Sequence, residues 1–151
     1  IDTDEKIISP FFFLDNIQHT NIHFKLTKKI LNITFDTAKD NLSSISVNLN
    51  YSDIINQDIE NLIIDRLKND KELASLITFE ILETDEIDNI ELFNSKIKIL
   101  HQLGSTISID DFGSGYSNFK TVLDIEADFL KIDASLVKNI DKSDKDCKVV
   151  K

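Results

Sequence analysis

Cysteine is nearly absent from this chain: Cys147 is the only one among 151 residues. A single thiol excludes an internal disulfide and a cysteine-based zinc site, and it fits a reducing compartment. Basic residues are outnumbered. Lys plus Arg total 17 against 27 Asp plus Glu, a formal net charge of −10. Such a surface argues against nonspecific contact with nucleic acid or anionic membrane. It still permits a small anionic ligand held through metal ions, because a cation inverts the local electrostatics. No apolar run reaches membrane-spanning length, no signal-peptide pattern is present, and no repeat or low-complexity segment stands out. The first residue is Ile1 rather than methionine, so the start of the encoded chain is expected upstream or removed. Glycine is scarce as well: two of the three are Gly113 and Gly115, one residue apart.

Hydrophobic residues make up 41% of the chain, enough for one domain with a core. Ser9-Pro10 reads as a helix start, with a short helix over 11–16 and the Phe11-Phe12-Phe13 cluster as core. A longer helix is expected over 20–39, burying Ile22, Leu26, Ile30 and Ile33. Residues 44–49 alternate like a strand, and 57–69 read as a helix with Ile59, Leu62, Ile63 and Leu67 as its stripe. A second strand spans 76–82. A helix over 89–102 presents Ile90, Phe93, Ile97 and Leu100, and Gly104 is placed to end it. Strands three and four cover 106–110 and 128–132, and the charged tail 143–151 is expected to fray. Alternating strands and helices with short connections predict a parallel α/β architecture. In such folds functional residues gather at the C-terminal ends of strands.

The polar residues can be sorted against that expectation. The run Asp110-Asp111-Phe112-Gly113-Ser114-Gly115-Tyr116-Ser117 follows a strand, and its glycines permit the positive φ of a tight reversal. Asp and Gly are also ordinary turn residues. The other strands carry Asn48, then Glu80 and Glu83, then Lys131 and Asp133. Alternation puts Asn48 with Ser46, Glu80 with Thr78 and Leu82, and Lys131 with Asp133. An amide and three carboxylates form an all-oxygen donor set suited to Mg²⁺ or Mn²⁺. Adjacent carboxylates suit a two-metal site, roughly 3.5–4 Å across, a common device for cutting phosphodiesters. Blander readings stand beside these. Asn48 suits a strand-end turn, Glu83 a helix N-terminal acid, and Lys131 an ion pair with Asp133. An unpaired Glu80 in an apolar strand is costly. His19 and His23 have helical metal-pair spacing but no zinc-protease carboxylate nearby, and His101 reads as a surface residue.

Taken in order, these segments resemble the EAL family of cyclic-di-GMP phosphodiesterases. Ile7-Ile8-Ser9-Pro10-Phe11-Phe12-Phe13 is similar to the segment after the family's namesake motif. Ser46-Val47-Asn48 is similar to its asparagine strand and Phe79-Glu80-Ile81-Leu82-Glu83-Thr84 to its Glu-x-x-Glu strand. Residues 110–117 resemble its Asp-Asp-Phe-Gly loop, and Leu130-Lys131-Ile132-Asp133 its lysine strand. The resemblance implies that Asn48, Glu80, Asp110 and Asp111 ligate two Mg²⁺ or Mn²⁺ ions, with Asp111 bridging. It implies that Lys131 positions the attacking water and that Glu83 holds the 110–117 loop. The implied reaction is hydrolysis of cyclic di-GMP to linear pGpG; the alternative is a non-catalytic cyclic-di-GMP receptor. The implied fold is a partial TIM-type (βα) barrel of about four parallel strands with flanking helices. A whole barrel takes about 250 residues, so the chain is expected to be an internal piece, inactive alone. The Glu-Ala-Leu segment and the later strands would lie outside residues 1–151. The expected partner is cyclic di-GMP, with no nucleic acid polymer and no direct membrane contact; a homodimer is compatible. The expected location is the cytoplasm, alone or within a larger or membrane-anchored signalling protein.

Overall fold

The computed structural model describes residues 9, 12–17, 20–82, 87–113 and 119–138. Four parallel strands pair in chain order, β1-β2-β3-β4. They are β1 (Ile45–Asn48), β2 (Ile77–Leu82), β3 (Thr106–Phe112) and β4 (Phe129–Ile132). Helices α1 (Leu14–Ile17) and α2 (Asn21–Asn41) precede β1. Then α3 (Tyr51–Ile54), α4 (Gln57–Leu67) and α5 (Lys71–Ser75) lead to β2. α6 (Ile90–Leu103) leads to β3, α7 (Phe119–Asp124) to β4, and α8 (Ala134–Val137) follows. Sequential parallel strands joined by helical crossovers are the repeating unit of a (βα) barrel. The expected partial TIM-type architecture is the one observed.

The two faces of the sheet differ in chemistry. Val47, Leu49, Ile77, Phe79, Ile81, Ile107 and Ile109 are buried, and all but Ile109 belong to one core with Leu31 and Phe35 of α2, Ile59, Ile63 and Leu67 of α4, and Phe93 and Ile97 of α6. Each fully buried residue of this kind contributes about 1.5–3 kcal/mol relative to exposure. The alternate residues make a polar face. In register they form the rows Ser46–Thr78–Thr106 and Asn48–Glu80–Ser108, with Asp110 beside Leu82 above them. Period-two alternation thus sends grease to the helices and polar groups to the other side.

Two expectations about burial are corrected. Ile22, Ile30 and Ile33 of α2 are exposed, and the buried positions are Thr27, Leu31, Thr34, Phe35 and Ala38. This helix carries apolar residues around most of its circumference. The stripe that packs is the one whose small residues, Thr27, Thr34 and Ala38, let the sheet and α4 approach around Leu31 and Phe35. Phe12 is exposed rather than core. Ile59, Ile63 and Leu67 of α4 and Phe93, Ile97 and Leu100 of α6 are buried as expected. α3, α5, α7 and α8 were not anticipated; all four are six residues or shorter, below the length at which periodicity is visible.

Local chemistry sets the helix ends. Thr20 caps α2 by accepting from the Ile22 amide, 3.2 Å. Gly104 closes α6 at φ 107°, where a side chain would be strained. Asn89 starts α6, its Oδ1 accepting from the Leu92 amide at 2.9 Å. Asn89→Ala leaves that amide unpaired, so it is expected to lower stability by about 1 kcal/mol, read as a shift in the urea midpoint at constant slope. Among the described residues no helix is long and apolar enough to cross a membrane. The 143–151 tail and Cys147 lie outside the described residues.

Candidate metal and phosphate site

The polar face becomes chemically dense at the C-terminal ends of the strands. Asn48 is paired in register with Glu80, Glu80 with Ser108, and Leu82 with Asp110. The ladder continues past Asn48 through a bond from the Leu49 amide to the Glu80 carbonyl, 2.9 Å. Asn48 is exposed. Glu80 is only 8% exposed, and a carboxylate at that depth needs a counter-charge.

That counter-charge is Lys131. Its Nζ donates to Glu80 Oε1 and lies 3.6 Å from Asp110 Oδ2. The hydrogen bond to Glu80, followed by attraction to Glu80 and Asp110, raises the Lys131 pKa above the ordinary lysine value against some desolvation. The expected alternative, an ion pair between Lys131 and Asp133, is replaced by a different use of Asp133. Its Oδ1 accepts from the Ser135 amide at 2.8 Å, capping α8. Hydrogen bonds from the Ser135 hydroxyl and amide hold the Asp133 carboxyl below the usual carboxylate range.

A break in strand pairing presents both aspartates. Ile109 pairs with Leu130, but the next partners are Phe112 and Ile132. Asp110 and Asp111 together therefore stand opposite Lys131. This is a β-bulge, with two residues on one strand facing one on the other. Asp111 takes φ 58°, a left-handed conformation that Asp tolerates better than most residues. Its amide donates to Asp110 Oδ1 at 3.0 Å. Gly113 then turns at φ 90°, and a Cβ there would lie 2.1 Å from Leu136 Cδ1 in α8. Gly113→Ala is expected to combine backbone strain with displacement of Leu136. A loss of about 1–3 kcal/mol follows, measurable by thermal unfolding, with faster amide exchange at residues 110–113.

Glu80, Asp110 and Lys131 are thus in contact, Asn48 is one strand away in register, and Asp111 is beside Asp110. Glu83 and residues 114–118 lie outside the described residues. Among the described residues no group of three or more His, Cys, Asp or Glu is gathered closely enough to hold a metal ion. The donors do fit a hard divalent cation. They are all oxygens, they sit on one rim, and the buried Glu80 carboxylate already takes a cationic partner.

The histidines serve other purposes. His23 Nε2 lies 2.9 Å from Asp53 Oδ1 and 3.2 Å from Asn50 Nδ2. Asp53 is buried, accepts from Thr27 Oγ1 at 3.1 Å, and shares a reciprocal capping box with Asn50 at the start of α3. This polar cluster pins the turn after β1 to α2; His19 lies outside the described residues. His101 Nε2 is 2.9 Å from Asp128 Oδ2, which also accepts from the Ile107 amide at 2.8 Å. His101 is therefore half-buried and ties α6 to the start of β4.

A parallel (βα) sheet with carboxylates and a lysine at the C-terminal strand ends places its polar groups where (βα) barrels carry their sites. The family follows from comparison. The chain belongs to the EAL domain family, whose model matches residues 1–151. It is 29% identical over 153 residues to the probable cyclic di-GMP phosphodiesterase PdeA of Escherichia coli, covering 98% of this chain and 21% of that protein. The chain spans about a fifth of that relative's length, and 17% of the cyclic di-GMP phosphodiesterase PdeA of Borreliella burgdorferi, to which it is 29% identical over 114 residues covering 76% of this chain. A PaMucR phosphodiesterase in complex with c-di-GMP superposes with a TM-score of 0.80 at 22% identity, covering 99% of this chain and 63% of that one. Klebsiella pneumoniae BlrP1, in a manganese and cy-diGMP complex, gives 0.71 at 24% identity, covering 85% and 34%. At these identities the likeness to solved structures shows the fold.

Proposed function

We propose that this chain forms part of a divalent-metal-dependent phosphodiesterase that hydrolyses cyclic di-GMP to linear pGpG. The observation that carries the reading is the junction of Glu80, Asp110 and Lys131, with Lys131 opposite the Asp110–Asp111 bulge. It is supported by curated relatives named as cyclic di-GMP phosphodiesterases. Asn48, Glu80, Asp110 and Asp111 would hold Mg²⁺ or Mn²⁺, two ions in this reading. When bound, such ions make hydroxide available near neutral pH and offset charge on the phosphate.

The chain's own residues account for the rest. Glu80 and Asp110 fix the rim's negative charge on rigid strands, which keeps the donor positions preorganised. Lys131 supplies a positive charge beside them, able to orient a water or neutralise a phosphate oxygen. Water adds across one phosphodiester bond, and the departing ribose oxygen takes the proton.

Turnover of cyclic di-GMP by the full-length protein, with and without Mg²⁺ or Mn²⁺, tests the reading, with pGpG as the expected product. Nucleotide binding without turnover would favour a receptor instead, a reading to which the Lys131–Glu80 ion pair also lends itself. Neither binding nor turnover would end both.

A further inference from the structure

Asp111 holds a backbone conformation that needs support. Its φ of 58° is left-handed, and a residue other than glycine stays there only where its surroundings fix it. The segment after the lysine strand supplies that fixing. Phe112 re-enters pairing with Ile132, and its carbonyl accepts from the Asp133 amide at 3.0 Å. Asp133 then caps α8, whose Leu136 fills the space where a side chain at position 113 would stand. Among the apolar residues of α8, Ala134 and Val137 are exposed and Leu136 is half-buried. The bulge is therefore followed at once by two holds, the renewed pairing of Phe112 and the packing of Leu136 on Gly113. An Asp111 relaxed to extended backbone would carry its carboxylate to the face opposite Asp110, since strand side chains alternate.

We propose that Leu136 is a positioning residue: packed against Gly113, it latches α8 onto the end of β3 and keeps the Asp110–Asp111 bulge in the form that presents both carboxylates to a cation. The role rests on the reading of the bulge as a cation-holding rim. Leu136 gives that rim no donor; it sets the fraction of molecules in which the rim is assembled. A site assembled in about a tenth of the molecules binds about tenfold more weakly.

The test is Mn²⁺ affinity of the full-length protein, measured by the paramagnetic resonance signal of free Mn²⁺, alongside turnover and thermal unfolding. Leu136→Ala is expected to weaken Mn²⁺ binding about tenfold, to speed amide exchange at residues 110–113, and to regain most of its turnover at saturating Mn²⁺. Leu136→Met conserves the volume and is expected to bind within a few-fold of wild type. If Leu136→Ala does not fold, Leu136→Val makes the same comparison, with a smaller loss expected. Gly113→Ala and Leu136→Ala act through one contact, so the double variant is expected to lose less affinity than the product of the two single losses. Wild-type affinity in the Leu136 variant, whatever its unfolding temperature, together with weakened binding in Asp110→Asn, would overturn the role of Leu136 and leave the metal site standing. Losses that simply multiply in the double variant would overturn it too. Failure of the wild-type protein to bind Mn²⁺ would remove the rim reading, and the latch with it.

Discussion

Asp110→Asn in the full-length protein is expected to lower cyclic-di-GMP turnover by about a hundredfold or more while leaving the unfolding midpoint almost unchanged. The two effects separate because the side chain has two kinds of contact. Its Oδ1 accepts from the Asp111 amide at 3.0 Å, and an asparagine carbonyl can accept the same bond. Its Oδ2 faces the Lys131 ammonium at 3.6 Å, and an amide offers no charge there. Asp110 is half-buried, so the neutral replacement strands no charge. What disappears is a carboxylate donor of the rim, and hard cations bind such donors through charge. Steady-state kinetics over a range of Mn²⁺ concentrations would show the loss. Full activity in Asp110→Asn would refute its assignment to the site.

Lys131→Met is expected to affect both function and stability, and in opposite directions once metal is added. Without the ammonium, the Glu80 carboxylate remains 8% exposed with its charge uncompensated. Breaking a fully buried pair typically costs about 3–5 kcal/mol. Lys131 is exposed at its end of the pair, and solvent there screens part of the interaction; a loss of about 1–3 kcal/mol is the reasonable scale. Turnover should fall by about a hundredfold or more, since the charge beside the phosphate is gone. Mn²⁺ should raise the unfolding temperature of Lys131→Met by more than it raises that of wild type, because the ion no longer competes with an ammonium for Glu80. Equal Mn²⁺-induced shifts in the two proteins would show that lysine and metal do not share Glu80. The pH dependence has a fixed sign. A lysine pKa raised in the folded state gives stability that is complete below the ordinary lysine value and fades as pH rises through the raised one. Wild type should therefore lose this contribution only in strong alkali, and Lys131→Met should lack that step.

The strands and the acidic loop were legible because each leaves a local signature. Period-two alternation located β1 to β3, and paired aspartates before Gly113 located the rim. Gly104 and the stripes of α4 and α6 were visible for the same reason. Three features were not legible. Ile22, Ile30 and Ile33 looked like a core stripe because α2 has apolar residues on more than one side, and only the sheet decides which side packs. Lys131 was offered Asp133 as a partner by nearness in sequence, whereas its actual partner Glu80 lies 51 residues away. Only the strand register makes that pairing possible. The bulge has no signature in the letters at all, since Asp110-Asp111 reads equally well as a straight strand end.

The irregular pairing of β3 also governs how many charges one edge can display. A strand that keeps strict step hands consecutive side chains to opposite faces, so one of two neighbouring aspartates would be delivered to the greasy helical layer. Here the step is broken between Ile109 and Phe112, and Phe112 resumes in phase with Ile109. Removing one of the two aspartates would restore even stepping and leave Phe112 on the side of Ile109, whereas straightening the strand with both kept would turn Phe112 toward the side occupied by Glu80. The extra residue thus adds a charge to this edge without reassigning any side chain downstream, and a single-residue deletion here would subtract a carboxylate while the pairing of Phe112 with Ile132 is kept.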